Sequence, residues 1–257
     1  MPREFFPRSA SYDRDWIEQH SVGENVLHFT ESLSQVMELR PGMRILDLGC
    51  GHALSSIFLA REFGVRVWAV DFGVDPGANQ LRIEEFGCGE LVRPLRADVR
   101  ALPLPHDFFD AAVAVDSYRY FGTDQRFLSS LVRHLRPDGL LGIVDACTSR
   151  EISTAEDLKP ALRQEWLDGS WYLAHTIDWW RQHLTRTGLL EVTLAELLPG
   201  SDAIRTRYLD RFRDDPEESD MVTFMEAEAG DLTGSFRLTA RRTGRVAPLE
   251  DEGEIPY

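Results

Sequence analysis

The sequence predicts the α/β class, with an open, doubly wound and mostly parallel sheet. Three observations carry this. Short apolar runs of strand length, Met43–Leu48, Val65–Val70, Leu91–Ala97, Ala111–Val115 and Leu140–Ala146, alternate with helix-patterned segments. Acids stand where four successive runs end, Asp47, Asp71, Asp98 and Asp116, spaced 24, 27 and 18 residues apart, near one β/α unit each. A glycine turn, Gly49-Cys50-Gly51, joins the first strand directly to a helix.

At 257 residues and 43% hydrophobic, the chain can bury one large core. With 43 acidic against 28 basic residues its formal charge is −15, a sign that repels phosphate backbones and disfavours a nucleic-acid partner. Arg205, Arg207, Arg211 and Arg213, and separately Arg241, Arg242 and Arg245, read as solvated faces. Cys50, Cys88 and Cys147 are odd in number and widely spaced, which argues against a disulfide framework or structural zinc. No apolar run reaches 18 residues and no leader pattern is present, so the expectation is a cytoplasmic protein without a membrane partner.

Residues 1–11 carry two prolines and no periodicity and read as an arm. Trp16, Val22, Val26, Leu27, Leu33, Val36 and Met37 recur at helical spacing, so one or two helices precede the first strand. Tyr12, His20 and His28 are expected there as packed helix residues rather than pocket residues. After the Arg40-Pro41-Gly42 stop and the strand Met43–Leu48, Gly49 and Gly51 let the backbone turn tightly and let a ligand approach where a Cβ would collide. The following helix offers unpaired N–H groups to an anion and runs to Phe63, with Gly64 as its C-cap. Asp47 would repel a pyrophosphate but accept hydrogen bonds from an ammonium group, so a ligand carrying both amino and carboxylate groups fits this turn.

Asp71, closing the second strand, suits a ribose, because one carboxylate can accept from both vicinal hydroxyls. A helix over Ala78–Phe86, closed by Gly87-Cys88-Gly89, leads to the third strand and Asp98-Val99. The fourth strand runs into Asp116-Ser117-Tyr118-Arg119-Tyr120-Phe121-Gly122-Thr123-Asp124, at a strand's carboxyl end, where open α/β sheets bind substrates. Thr123 or Asp124 caps a helix through Leu135, and Arg136-Pro137-Asp138-Gly139 turns it into the fifth strand. After Cys147 the alternation stops: 148–176 is polar with Trp166, Trp171, Tyr172 and His175, and the helix Asp178–Thr187 follows. A strand Leu189–Leu197, a helical region Arg205–Ala229 and a strand Gly234–Arg241 complete the pattern, before an acidic tail.

The segment Asp47-Leu48-Gly49-Cys50-Gly51-His52-Ala53 resembles motif I of the class I S-adenosylmethionine-dependent methyltransferases, acid-x-Gly-x-Gly-x-Gly, with Ala53 at the third glycine. Leu102-Pro103-Leu104-Pro105-His106-Asp107-Phe108-Phe109-Asp110 resembles the L-P-F-x-D-x-x-F-D stretch of the branch related to quinone-biosynthesis methyltransferases. The residues around Arg136-Pro137-Asp138-Gly139 are similar to the family's x-L-x-P-G-G-x-L pattern, with Asp138 in place of a glycine, and the run from Asp116 to Asp124 resembles a bacterial subfamily of these enzymes. The resemblance covers residues 40–146 and extends by pattern to the last third. It implies a Rossmann-like, doubly wound seven-stranded sheet with the last strand antiparallel, N-terminal helices over the cofactor, and a lid inserted after the fifth strand. It also implies that Asp98 bonds the adenine amino group while the Val99 N–H holds a ring nitrogen.

The expected organisation is an arm with cover helices over 1–39, a cofactor-binding core over 40–147, a lid over 148–188, closing strands over 189–245 and a tail over 246–257. The expected cofactor is S-adenosylmethionine, without a metal, held by Asp47, Gly49, Cys50, Gly51, Asp71, Phe72, Asp98, Val99, Asp116 and Ser117. The acceptor is expected to be a small, aromatic or amine-bearing molecule against Tyr118, Tyr120, Trp171, His175 and Trp180, with His175 and Tyr120 as the catalytic residues and His175 the base where the reaction needs one. Oligomeric state is not fixed by the sequence, a homodimer being one arrangement. Two alternatives differ in kind: a sensor or partner subunit that binds S-adenosylmethionine without transfer, and a nicotinamide-dinucleotide oxidoreductase, for which no hydride-accepting constellation is found.

Overall fold

The computed structural model describes residues 6–20 and 26–245, so Val22 and the expected acidic tail lie outside the described residues. Seven strands form one sheet: β1 (Arg44–Leu48), β2 (Arg66–Asp71), β3 (Val92–Arg96), β4 (Phe109–Val115), β5 (Leu135–Thr148), β6 (Leu190–Leu197) and β7 (Thr233–Arg242). Their order is β3-β2-β1-β4-β5-β7-β6. Strands β1 to β5 pair in parallel, and β7 runs antiparallel between β5 and β6. The doubly wound sheet with an antiparallel last strand is therefore as expected. Its order reverses between β1 and β4, which is where an open α/β sheet leaves a crevice at its carboxyl edge.

Strand side chains alternate between two cores. Leu46 and Leu48 of β1 and Ala112 and Ala114 of β4 face one core, with Phe127 and Leu131 of α5 (Gln125–His134) and Trp180 and Leu184 of α7 (Ile177–Thr185). Ile45, Ala111 and Val113 face the other, with Leu33 of α2 (Val26–Ser34), Ile57 of α3 (Leu54–Phe63) and Ile83 of α4 (Pro76–Glu85). Helix α1 (Arg14–His20) precedes these, and Trp16 and Ile17 pack towards Phe58 of α3. Side-chain caps set several starts: Asp75 accepts from Ala78 N, Asp124 from Arg126 N and Thr176 from Trp179 N. Gly64 closes α3 in the left-handed conformation, φ +64°, as the sequence predicts.

Two elements differ from expectation. The turn expected at 136–139 is a register break inside β5: Phe109 pairs with Leu135 and Ala111 already with Leu140. Asp138 takes a left-handed φ of +62°, the conformation a glycine adopts freely. The single helical region expected over 205–229 is two helices, α8 (Ser201–Phe212) and α9 (Ser219–Glu228). The insertion after β5 contributes α6 (Arg163–Asp168), and its Leu158, Leu162 and Trp166 bury against Phe224 of α9 and Leu232. Trp171 stacks on Phe224 with centroids 5.4 Å apart, so the polar insertion is organised by its own apolar cluster.

Candidate functional site

The glycine turn is pinned to the carboxyl end of β2. Gly49 N and Cys50 N both donate to Val70 O, at 2.9 and 3.0 Å, and Gly51 N donates to Asp71 Oδ2 at 3.0 Å. Gly49 has φ +72°, and a Cβ there would lie 2.8 Å from Ser117 Cβ, so strand ends β1 and β4 approach as closely as they do only because the residue is glycine. Ala53, at the third glycine position, also takes a left-handed φ of +63° and stands as N-cap of α3.

This turn floors a cavity of about 490 Å³. Asp71 and Phe72 after β2, Asp98, Val99 and Arg100 after β3, and Asp116 and Ser117 after β4 line it, with Tyr120 and Phe121 beyond. His20 and Val26 reach it from the N-terminal helices. Asp71 Oδ1 accepts from Gly73 N and Val74 N at 2.8 and 3.0 Å, so the acid shapes both loops that bound the cavity. Asp98 accepts from Arg100 N and from its guanidinium, and these hydrogen bonds hold the carboxyl below its ordinary range. Phe72 is 76% exposed, an aromatic face left at the cavity wall rather than packed.

A second cavity, of about 330 Å³, shares Asp116 with the first. Phe29, Trp171, Ile204, Met221 and Met225 give it an apolar wall, and Arg119, Asp202, Arg205, Tyr208 and Glu218 give it polar groups. At the junction, Arg119 Nη1 donates to Asp116 Oδ1 at 2.7 Å and to Asp145, while Arg119 N donates to Asp145 Oδ2 at 2.9 Å. Nη2 donates to the Tyr120 hydroxyl at 2.7 Å, and the guanidinium lies 4.4 Å from that ring's centroid. Asp145 is wholly buried in β5. Burial raises its carboxyl, against the pull of Arg119 and of two backbone donors, and for Arg119 the two acids outweigh the cost of burial and keep the guanidinium charged.

The structure thus brings Gly49, Cys50, Gly51, Asp71, Phe72, Asp98, Val99, Asp116, Ser117 and Tyr120 to one cavity and Trp171 to its neighbour. Four expected contacts are corrected. Asp47 is fully buried and lines neither cavity: its Oδ2 accepts from Ser55 and Ser56 Oγ, each at 2.6 Å, so it faces the first turn of α3. Tyr118 is fully buried in the core beneath the loop, edge-on to Phe121, Phe127 and Trp180, and its hydroxyl has no partner. Trp180 is fully buried on the inward face of α7, stacked towards Phe236 of β7. His175 lines neither cavity; its Nδ1 lies 2.7 Å from Glu151 Oε2 and its ring stacks on Trp179 at 3.7 Å, which removes the expected base from the site.

Burial pushes the Asp47 carboxyl up to about 6, with the two serine hydroxyls opposing and the Asp71 charge adding to the rise. An acid raised in the folded state binds more protons there than when unfolded, so its contribution to stability is present at low pH and lost as pH rises through the folded value. Relative to Asp47→Asn, the native chain should lose about 3 kcal/mol between pH 4 and pH 7, the equivalent of a two-unit shift. Urea midpoints of both chains at the two pH values check this, and parallel pH dependences would show that the carboxyl is not raised.

Residues missed from the sequence include His52, Arg100, Arg119 and Asp145. His52 Nδ1 lies 2.8 Å from the carbonyl of His20, tying α1 to the glycine turn. Asp145 had a readable signal, an acid inside the apolar run Ile143-Val144-Asp145-Ala146, since a buried charge requires a partner.

Residues 45–139 match the family model for a methyltransferase domain. Among curated relatives, phosphoethanolamine N-methyltransferase 1 of Arabidopsis thaliana is 24% identical over 224 residues, 87% of this chain and 44% of that protein. The chain spans less than half the length of that relative. Phosphoethanolamine N-methyltransferase 2 of Haemonchus contortus, solved in complex with S-adenosylmethionine, superposes with a TM-score of 0.71 at 18% identity over 94% of this chain and 60% of that one. The [4+2]-cyclase SpnF superposes with a TM-score of 0.62 at 23% identity, over 83% of this chain and 79% of that one. These likenesses show the fold.

Proposed function

We propose that this chain, whose residues 45–139 match the family model for a methyltransferase domain, is a class I S-adenosylmethionine-dependent methyltransferase acting on a small-molecule acceptor. The observation that carries the reading is the first cavity, in which a glycine turn and the ends of β2, β3 and β4 converge on one ligand-sized space. The chain's own residues fit the cofactor. Glycine at 49 lets the turn close against Ser117, Asp71 Oδ2 has one donor and retains acceptor capacity for a ribose hydroxyl, and Phe72 and Val99 flank the place of a base. Asp98 suits the adenine amino group and is shared there with Arg100.

When bound, S-adenosylmethionine supplies a methyl group on a reactive sulfonium. The protein's part is proximity, orientation and exclusion of water. Asp116 stands where the cofactor cavity meets the acceptor cavity, with Ser117 beside it on the cofactor side, and Arg119 fixes Asp116 and Tyr120 relative to each other. The helices of 1–39 act as a cover, since His20 and Val26 line the first cavity, and the insertion of 148–188 acts as a lid, since Trp171 lines the second. Three buried, unpaired cysteines suit a reducing, cytoplasmic setting.

The test is binding and turnover together. The chain should release S-adenosylhomocysteine and a methylated product from a panel of small acceptors. Asp71→Ala should weaken cofactor binding by about 1 to 3 kcal/mol, the range for removing one partner of buried hydrogen bonds. An unchanged dissociation constant would place the ribose elsewhere. A fold shared with a cyclase favours one second reading, binding without methyl transfer, and binding with no turnover across the panel would select it.

A further inference from the structure

We infer that the acceptor taken by the second cavity carries a protonatable amine on an apolar body rather than a phosphate or carboxylate head. The inference rests on the two-cavity reading above and names the substrate class of that site. Its ground is the state of the two arginines in the cavity wall.

Each arginine is already committed to a buried acid. Arg119 serves Asp116 and the fully buried Asp145. Arg205 Nε donates to Glu228 Oε1 at 3.0 Å and Nη2 donates to the Met225 carbonyl, and Glu228 is 1% exposed. Turning either guanidinium towards an anionic ligand would strand a buried carboxylate without its cation. Among the described residues, the acids that remain on the wall have no buried counter-charge of that kind. Asp202 is exposed in the first turn of α8, and half-buried Glu218, just before α9, accepts from the Tyr208 hydroxyl.

Further acids lie beside the wall. The Glu165 carboxyl is raised by partial burial and then by the charges of Asp220, Asp168 and Glu218. A formal charge of −15 on the whole chain adds to that sign. An ammonium would therefore find Asp202 and Glu218, with its apolar body against Trp171, Ile204, Met221 and Met225.

A protonated amine has no lone pair, so one proton must first leave to solvent at the mouth, where Asp202 is exposed. The neutral nitrogen then forms the N–C bond while the methyl's bond to sulfur breaks. That electron pair stays on sulfur, and the products are a methylated ammonium and a neutral thioether. The titratable and charged groups facing the amine are Asp116, Arg119, Asp202, Arg205, Tyr208 and Glu218, with no histidine on the described wall. The rate should therefore rise with pH along the ionisation of the acceptor itself.

The test is calorimetry on the full chain saturated with S-adenosylhomocysteine, using three matched probes: 2-phenylethylamine, 3-phenylpropionate and 2-phenylethyl phosphate. The amine should bind at least tenfold more tightly than either anion. Asp202→Asn with Glu218→Gln should weaken amine binding tenfold or more while S-adenosylhomocysteine affinity is kept, and Asp202→Asn alone, at an exposed site, should give part of that loss. Tighter binding of either anion, no binding of the amine, or full amine affinity in the double variant would overturn the inference while leaving the cofactor cavity standing. Failure of the native chain to bind S-adenosylhomocysteine would instead overturn the two-cavity reading on which it rests.

Discussion

Arg119→Met is expected to destabilise the fold by about 3 to 5 kcal/mol, the cost of leaving one partner of a buried ion pair unpaired. The stranded group is Asp145, fully buried in a central strand, where two backbone donors remain but no cation. Asp116 and Tyr120 lose the group that orders them at the junction of the cavities. The double variant Arg119→Met, Asp145→Leu should recover most of the loss, because replacing both members of a buried pair by apolar side chains is often neutral or stabilising. Urea unfolding of native, single and double variants gives the coupling directly. A single-variant cost below about 1 kcal/mol, the range of an exposed pair, would show that the network is solvated rather than buried.

Trp180→Ala should cost a similar amount, about 3 to 5 kcal/mol, for a different reason. Its indole is fully buried, with ring centroids 4.9 Å from Trp179, 5.6 Å from Tyr118 and 6.2 Å from Phe236, so truncation opens a cavity between α7 and the sheet. It touches neither ligand cavity, and the folded fraction should keep native cofactor affinity. Normal stability with lost acceptor binding would return this residue to the site. The contrast with Trp171, nine positions earlier, is one of place rather than of residue type: Trp171 lines the second cavity from the insertion.

The sheet was legible because strand-forming runs and glycine stops are local signals, and the strand-end loops inherit their position from the sheet. Strand-end spacing, together with the resemblance of the glycine turn, could therefore place Gly49, Asp71, Asp98 and Asp116 together. Side-chain direction was not legible in the same way. Asp47 points to α3 because Ser55 and Ser56 offer it two hydroxyls eight and nine residues later, a pairing that emerges only once the helix is docked. Tyr118 and Trp180 carry the same aromatic signal as Tyr120 and Trp171, yet the first two fill the core and the second two reach the cavities. His175 is held away from the cavities by Glu151, 24 residues distant, a pairing that no sequence motif marks. The wall of the second cavity draws on β5, α8 and α9 at once, so it exists only in three dimensions.

The central claim is most directly tested by titrating S-adenosylmethionine and, separately, NAD into the native chain by calorimetry. The account predicts one S-adenosylmethionine per chain, displaced by S-adenosylhomocysteine, and no binding of NAD. Binding of NAD with none of S-adenosylmethionine would contradict it.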